Sequence, residues 1–499
     1  MALLISGCAG DREFEQTASY ALTDTGETAL ARHAQQLGAP RGDLSGIHLI
    51  RNGGEALAMR LYLTEQAERS IDAQYYLLHD DPAGHLFVAR LLQAADRGVR
   101  VRLLLDDMDT RQYDAMTAAL TGHPNFEIRL FNPFWRDRSK VMNGVIEFWR
   151  INRRMHNKSM IFDNQMTVLG GRNIGGEYFS ARDDSNFDDL DLLGVGPIAR
   201  DVSTVFDDYW NSPHAVPAEA VIDARSTNLT LPDAREQLEA LNRAAAQSEY
   251  GQALRHELRQ QIDTGTLDVE WAPALVLADP PSKTAGETNG KPILAEQMLP
   301  YLQEARHEVF VVSAYFVPGE AGTAFLGDLA RRGIRVRILT NSLDSNDVEA
   351  VHAHYRRYRA DLLGAGVELW ELRADKTRAD REALGLGQSL SALHTKAFAV
   401  DRDTLFVGSF NWDPRSVRIN TEMGALILSP ALAREAVGDL EQELARTAYK
   451  LRLDSAGEVE WMSMGDDGTW TIYKTEPSSS IWRNIRAGFY GLLPIEGLL

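Results

Sequence analysis

Two hydrophobic periods alternate along the chain in a regular order. Ile71, Ala73, Tyr75 and Leu77 recur every second residue, the period of a strand; Val88, Leu91, Leu92 and Ala95 keep helical spacing; Val99, Val101 and Leu103 alternate again. Strand, helix and strand in that order predict a parallel pair in an α/β layered arrangement. The unit then returns. Val309 to Phe316 reads as the first strand, Gly322 to Arg332 as the helix, and RRGIRVRILT at 331–340 echoes DRGVRVRLLL at 96–105. Such duplication within one chain is a primary clue to fold.

A third pattern is also duplicated. Met160 to Leu169 is apolar and β-branched around a polar Asp163-Asn164-Gln165 break, which predicts a strand, a tight turn and a second strand. Its approach carries His156 and Lys158, spaced H-x-K-x-x-x-x-D with Asp163 and followed by Gly170 and Asn173. A second copy holds His394, Lys396, Asp401, Gly408 and Asn411. All five positions are displaced by the same 238 residues (156 to 394, 158 to 396, 163 to 401, 170 to 408, 173 to 411). Side chains alternate faces along a strand, so each His and Lys share a face and each Asp falls on the other. We therefore expect His156, Lys158, Asn173, His394, Lys396 and Asn411 to carry chemistry, and Asp163 and Asp401 to be structural.

That set of side chains suits phosphodiester chemistry. Breaking such a bond without a metal needs a nucleophile for phosphorus, an acid for the leaving oxygen and fixed positive charge around the transition state. A neutral imidazole can attack while a protonated one donates, and two Lys and two Asn can hold the non-bridging oxygens. The remaining ten histidines show no zinc-type spacing with carboxylates or with the single cysteine, so neither metal nor cofactor is expected. His352 and His354 are expected at the surface or along a groove.

The duplicated motif resembles the signature of the phospholipase D superfamily. Longer stretches resemble bacterial cardiolipin synthases, particularly the C-type branch: QYYLLHDDPAG at 74–84, RVRLLLDD at 100–107, RLFNPF at 129–134, INRRMHNKS at 151–159, LTNSLDSNDVEAVHAHY at 339–355, and GSFNWDPRS with NTEMG within 408–424. The resemblance implies an α/β protein of two pseudo-symmetric phospholipase D-like lobes, each a mixed β-sheet flanked by helices, with one active site at their interface. It implies that an acidic residue after each motif fixes the second ring nitrogen of a histidine, here Asp189, with Asp188 and Asp191 beside it, and Glu422. It favours His156 as nucleophile and His394 as acid, then base. The implied reaction moves a phosphatidyl group, through a phosphohistidine, from phosphatidylglycerol or phosphatidylethanolamine to phosphatidylglycerol. Hydrolysis of phospholipid, or of nucleic acid, would use the same residues, and a membrane-binding pseudoenzyme is a third class.

Composition narrows these readings. The chain has 499 residues, 44% of them hydrophobic, enough for two cores, and a net charge of −19, which argues against a general nucleic-acid binder. Phospholipids and a membrane surface are the expected partners; the sequence names no partner protein. The expected organisation is an N-terminal arm at 1–45, loosely held, a first lobe at 46–212, a helical connector at 213–265, a second lobe at 266–450 and a C-terminal segment at 451–499. The stretch 279–291 reads as a flexible loop. Residues 1–8 end in Cys8 after small residues, as a lipoprotein signal does, yet lack a basic start and a long apolar run; lipidation at Cys8 and an unprocessed terminus both stay open.

Two segments suggest contact with lipid. Residues 129–158 carry eight Arg and Lys against two acidic residues, interleaved with Phe131, Phe134, Trp135, Phe148 and Trp149, which suits lipid headgroups. Residues 480–499 place Ile481, Trp482, Ile485, Phe489 and Leu492 at helical spacing, as an interfacial helix or as a helix closing the second lobe's core. Both are expected to flank the mouth of the active site, with arginines turned to phosphate.

Overall fold

A computed structural model describes residues 14–179, 187–223, 227–246, 258–374, 392–465, 467–477 and 481–499. Cys8 lies outside them. The strands, in chain order, are β1 (Ser45–Ile50), β2 (Ser70–Tyr75), β3 (Arg100–Asp106), β4 (Phe126–Phe131), β5 (Ser159–Phe162), β6 (Met166–Gly170), β7 (Phe187–Asp188), β8 (Asp191–Val195), β9 (Ala215–Pro217), β10 (Glu270–Ala272), β11 (Ala274–Ala278), β12 (Glu308–Ser313), β13 (Arg335–Asn341), β14 (Glu368–Leu372), β15 (Ala392–Leu393), β16 (Lys396–Val400), β17 (Thr404–Gly408), β18 (Met423–Leu428), β19 (Ala448–Leu453), β20 (Val459–Met464) and β21 (Trp470–Tyr473).

They form two large mixed sheets, ordered β10-β1-β8-β6-β5-β2-β3-β4-β9 and β11-β18-β17-β16-β12-β13-β14-β19-β20-β21. In each, three parallel strands (β2, β3, β4 and β12, β13, β14) lie beside antiparallel ones, so the β2/β5 and β12/β16 pairs mark where strand direction changes. In α/β sheets ligands bind outside the carboxyl ends of the parallel strands.

The period-two pattern is spent on two buried faces. In the first sheet Ile71, Ala73, Val101, Leu103, Ile128, Met160 and Val168 face helices 53–66 and 82–96. Asp81 caps the second of these helices, accepting from Gly84 N at 2.9 Å, and Pro82 starts it. In the second sheet Val309, Val311, Val336, Ile338 and Phe398 do the same for helices 294–303 and 319–331. The opposite faces meet in one shared core. Leu49, Ile161, Leu169 and Leu192 of one sheet join Phe310, Val312, Ala399, Leu405 and Val407 of the other, together with helices 197–210 and 430–447. The two sequence copies therefore bury their apolar surface against each other.

The sheets also take strands from outside the stretches expected for each lobe. β9 and β10 add to the first sheet from residues 215–217 and 270–272, and β20 and β21 extend the second from within 451–499. The arm is not loosely held over its described part: residues 29–36 are helical, Gln16 Nε2 donates to Trp210 O at 3.0 Å, and Ala21 N donates to Asp207 at 2.8 Å. Nor is 279–291 a solvated loop throughout, because Asp279 and Lys283 are buried together as an ion pair of 2.8 Å. Its Pro and Gly residues shape a 3-10 turn that packs inward.

Candidate active site

Each motif forms the expected hairpin, β5–β6 and β16–β17, with Asp163 and Asp401 at turns of positive φ (50° and 51°). Asp and Asn tolerate that conformation. Asp163 accepts from the backbone of Glu68, Arg69 and Ser70, and Asp401 from Arg306, His307 and Glu308, the residues leading into β2 and β12. Both aspartates thus tie a hairpin to the neighbouring strand and lie away from the pocket.

His156 and Lys158 precede β5; His394 precedes β16, whose first residue is Lys396. Asn173 and Asn411 follow β6 and β17. Asn173 Oδ1 accepts from Leu77 N at 3.1 Å while its Nδ2 donates to Tyr178 Oη at 2.9 Å; Asn411 Oδ1 accepts from Tyr315 N at 3.4 Å. His156, His394, Asn173 and Asn411 all line one cavity of about 240 Å³ between the lobes. Lys158 and Lys396 each donate to the backbone carbonyl of their own motif's histidine.

The carboxylates are exchanged between lobes. His156 Nδ1 lies 2.8 Å from Glu422 Oε2, and His394 Nδ1 lies 2.5 Å from Asp189 Oδ2, so each motif's histidine is held by the acid that follows the other motif. The backbone does the same: His156 N donates to Thr421 O and His394 N to Asp188 O, both at 2.8 Å. Asp188, the neighbour that competed with Asp189 in the sequence, accepts from Thr395 Oγ1 through its backbone carbonyl. Asp191 pairs with buried Arg60 at 2.8 Å.

Supports of the two acids differ. Ser409 Oγ and Ser416 Oγ donate to Glu422 at 2.5 and 2.9 Å, and Glu422 N donates to Asp279 Oδ2 at 2.9 Å. Asp189 instead takes Leu190 N at 2.9 Å, and Arg172 donates to its backbone carbonyl. Gly171, the counterpart of Ser409, is required by closeness: a Cβ there would sit 2.2 Å from Asp189 Oδ1.

Burial sets the charges. Desolvation lowers His156 to about 4 and His394 to about 3, so both imidazoles are neutral at rest, with Nδ1–H donating to a carboxylate. Burial would raise both acids, yet the histidine and lysine facing each of them prevail and hold Glu422 and Asp189 below their ordinary values. Lys158 is brought down to about 7 and Lys396 is also lowered, again chiefly by desolvation.

Residues that the motif reasoning did not single out complete the pocket. Tyr76 meets His156 edge-on at 5.0 Å between ring centroids, Tyr178 meets His394 at 5.3 Å, and Tyr315, Asp347, Asp413 and Arg415 also line the cavity. Tyr76 and Tyr315 stand just beyond β2 and β12, a position at sheet ends that could have flagged them. His352 and His354 are buried rather than superficial: His352 Nε2 contacts Glu476 at 2.5 Å beside the Arg359–Glu371 pair. One trio, His79, Asp81 and Glu177, brings a ligand atom from each within 4.8 Å of one another. Asp81 already spends its oxygens on the backbone N–H groups of Gly84 and Gly176, and His79 Nδ1 faces Glu177 at 2.8 Å, so the trio is accounted for as a helix cap and an ion pair.

The basic stretch 129–158 is not a free cationic face. Arg129 pairs with Glu127, Arg136 with Asp107 and Asp114, Arg138 and Arg150 with Glu147, and Arg154 with Asp106. Lys140 and Arg153 donate to the carbonyls of Met108 and Lys283.

Two lobes of one design, joined by an exchanged pair of His-carboxylate contacts, define a phospholipase D-type protein. A family model described as cardiolipin synthase, PLD-like domain, matches residues 62–210 and 298–446, more than half of the chain. The chain belongs to that family. It is 38% identical over 462 residues to cardiolipin synthase C of Escherichia coli strain K12, covering 91% of this chain and 96% of that one. It is 24% identical over 407 residues to cardiolipin synthase A of Pseudomonas aeruginosa, covering 80% and 67%. The fold is shared with the crystal structure of phosphatidylserine synthase from Haemophilus influenzae (TM-score 0.55, 15% identity, 85% of this chain and 92% of that one).

Proposed function

We propose that this protein is a phosphatidyltransferase of the cardiolipin synthase type, working at a membrane surface with His156 as nucleophile. The observation that carries the reading is that two neutral imidazoles line one cavity, each fixed at Nδ1 by a carboxylate from the opposite lobe. That arrangement leaves Nε2 of each as the reactive nitrogen.

In the first step His156 Nε2 attacks the phosphorus of a donor phospholipid and the bond to the headgroup oxygen breaks. His394, protonated, gives its proton to that oxygen as it leaves. In the second step the glycerol hydroxyl of phosphatidylglycerol gives its proton to His394 and attacks the phosphohistidine; the phosphorus–nitrogen bond breaks and cardiolipin forms. Lys158, Lys396, Asn173 and Asn411 hold the non-bridging oxygens. An anionic phosphate beside them raises the proton affinity of His394 and of both lysines, so the site gains its working positive charge on binding substrate. Asp163 and Asp401 keep the hairpins in place and take no part in proton transfer.

The test is purified protein with detergent-dispersed phosphatidylglycerol, with and without phosphatidylethanolamine, and product analysis by mass spectrometry. Cardiolipin with released glycerol identifies phosphatidylglycerol as donor, and cardiolipin with released ethanolamine identifies phosphatidylethanolamine. Phosphatidic acid as sole product would replace transfer by hydrolysis.

A further inference from the structure

Two apolar faces stand in the open beside the cavity. The first is the pair of short helices 140–146 and 148–151, where Val141, Met142, Val145, Ile146, Phe148 and Trp149 are exposed, Val145 by 76% and Trp149 by 71%. The second is helix 481–490 and its continuation, where Trp482 (69%), Ile485, Phe489 and Leu492 (83%) are exposed. Single exposed apolar side chains are ordinary; ten large ones gathered on two helical elements are not. The second helix therefore does not close the second lobe's core. It touches the protein through Ala487, Tyr490 and its arginines: Arg483 donates to Asn346 O at 2.6 Å and Arg486 pairs with Glu349.

Both faces are fastened to residues that line the cavity or adjoin its lining. Asn346 and Glu349 flank Asp347, which lines it. Arg415, another lining residue, donates to Asn152 O at 2.6 Å, one residue beyond the first pair of helices, and to Leu498 O at 3.1 Å, on the tail that follows the second helix. One arginine of the cavity lining thus links both elements.

We infer that these two faces insert together into one leaflet of a phospholipid bilayer, and that apolar burial rather than charge holds the protein there. The inference deepens the phosphatidyltransferase reading and rests on it for the choice of occupant. A cavity of about 240 Å³ admits the phosphate and headgroup, whereas each acyl chain of the substrate extends for ~15 Å, half the ~30 Å hydrocarbon thickness. The chains must stay in the bilayer while phosphorus meets His156, so the mouth has to abut the membrane. Tryptophans and phenylalanines on a helix lying flat suit that depth. Charge cannot do the work: the net charge is −19, the arginines of 129–154 are spent on internal partners, and Arg486 is paired with Glu349. The expected orientation of arginines towards phosphate is replaced by apolar anchoring.

The experiment is co-sedimentation of the full chain with vesicles of phosphatidylcholine alone and with phosphatidylglycerol added, at low salt and at about 0.5 M salt, where charge effects are screened within a few ångströms. Binding should agree within about twofold across all four conditions. Val145→Asp with Trp149→Asp, and separately Trp482→Asp with Phe489→Asp, should each weaken binding by at least tenfold, since each large side chain returned to water costs roughly tenfold. Melting temperature should hold, and activity on detergent-dispersed substrate should survive. Binding that requires the anionic lipid and is released by salt would overturn the inference. So would variants that sediment like the parent, or variants that lose only a self-associated state seen by light scattering. Phosphatidylcholine binding involves no turnover; a protein that binds vesicles and makes no product refutes the transferase reading and leaves the docking face standing.

Discussion

Replacing Glu422 by Gln tests the exchange of carboxylates across the lobes. The substitution keeps size and one acceptor oxygen, so Ser409, Ser416 and the His156 ring retain a partner while the charge disappears. When His156 bonds to phosphorus its ring becomes cationic, and at 2.8 Å with an effective dielectric of ~20 the buried carboxylate is worth about 6 kcal/mol to it. A neutral amide oxygen recovers roughly half of that. The remaining ~3 kcal/mol corresponds to roughly a 100-fold slower formation of the phosphohistidine, read by rapid-quench single turnover without acceptor. The ring itself gives an independent reading. Glu422 raises the proton affinity of His156 against the effect of burial, so its removal must lower His156 further below about 4. Ring-nitrogen NMR should therefore move for His156 in Glu422→Gln and for His394 in Asp189→Asn. If Glu422→Gln moves the resonances of His394 and spares His156, or slows the step by less than about threefold, the exchanged pairing is wrong.

Two further outcomes follow from the same site. Lys158 is cationic below its value of about 7 and loses its proton above it, so kcat/KM should fall by about tenfold per pH unit on the alkaline side; Lys158→Arg, which stays charged, should flatten that limb, and a limb that persists unchanged would assign it elsewhere. Gly171→Ser drives a side chain into the Asp189 carboxylate and should cost about 1–3 kcal/mol in thermal melting along with most of the activity, whereas Ser409→Gly at the mirror position, which removes one donor from Glu422, should lower turnover mildly and melt near the parent.

What the sequence discloses is what one lobe decides by itself. Strand, helix and hairpin could be read because their apolar positions are spaced by the element's own period, and the hairpin aspartates because their bonds run to Glu68–Ser70 and Arg306–Glu308 in the same lobe. Misreadings arise where the partner lies far along the chain. Counting charge over 129–158 suggested a cationic face, yet the balancing acids Asp106, Asp107, Asp114 and Glu127 sit in earlier segments. His352 looked superficial until Glu476, 124 residues on, was placed beside it. The short edge strands β9 and β10 carry too few residues to show a period.

The spacing of the two motifs records the same distinction. Asn173 bonds Leu77 N as Asn411 bonds Tyr315 N, and Asp163 bonds Arg69 N as Asp401 bonds His307 N; each pair of partners is displaced by the 238 residues that separate the histidines (77 to 315, 69 to 307). These bonds lie inside one lobe, where a shift of one residue would turn every side chain to the wrong face of its strand. Asp189 and Glu422 are displaced by 233 instead, and they differ in length by a methylene. Their constraint is a distance across the interface, which a shorter connection with a longer side chain can meet as well as the reverse. Gly171 beneath Asp189 and Ser409 beneath Glu422 fit each solution separately. The reacting atoms thus keep two-fold geometry while the groups that set their charge do not, and that leaves two histidines of one motif free to take different roles in a single reaction.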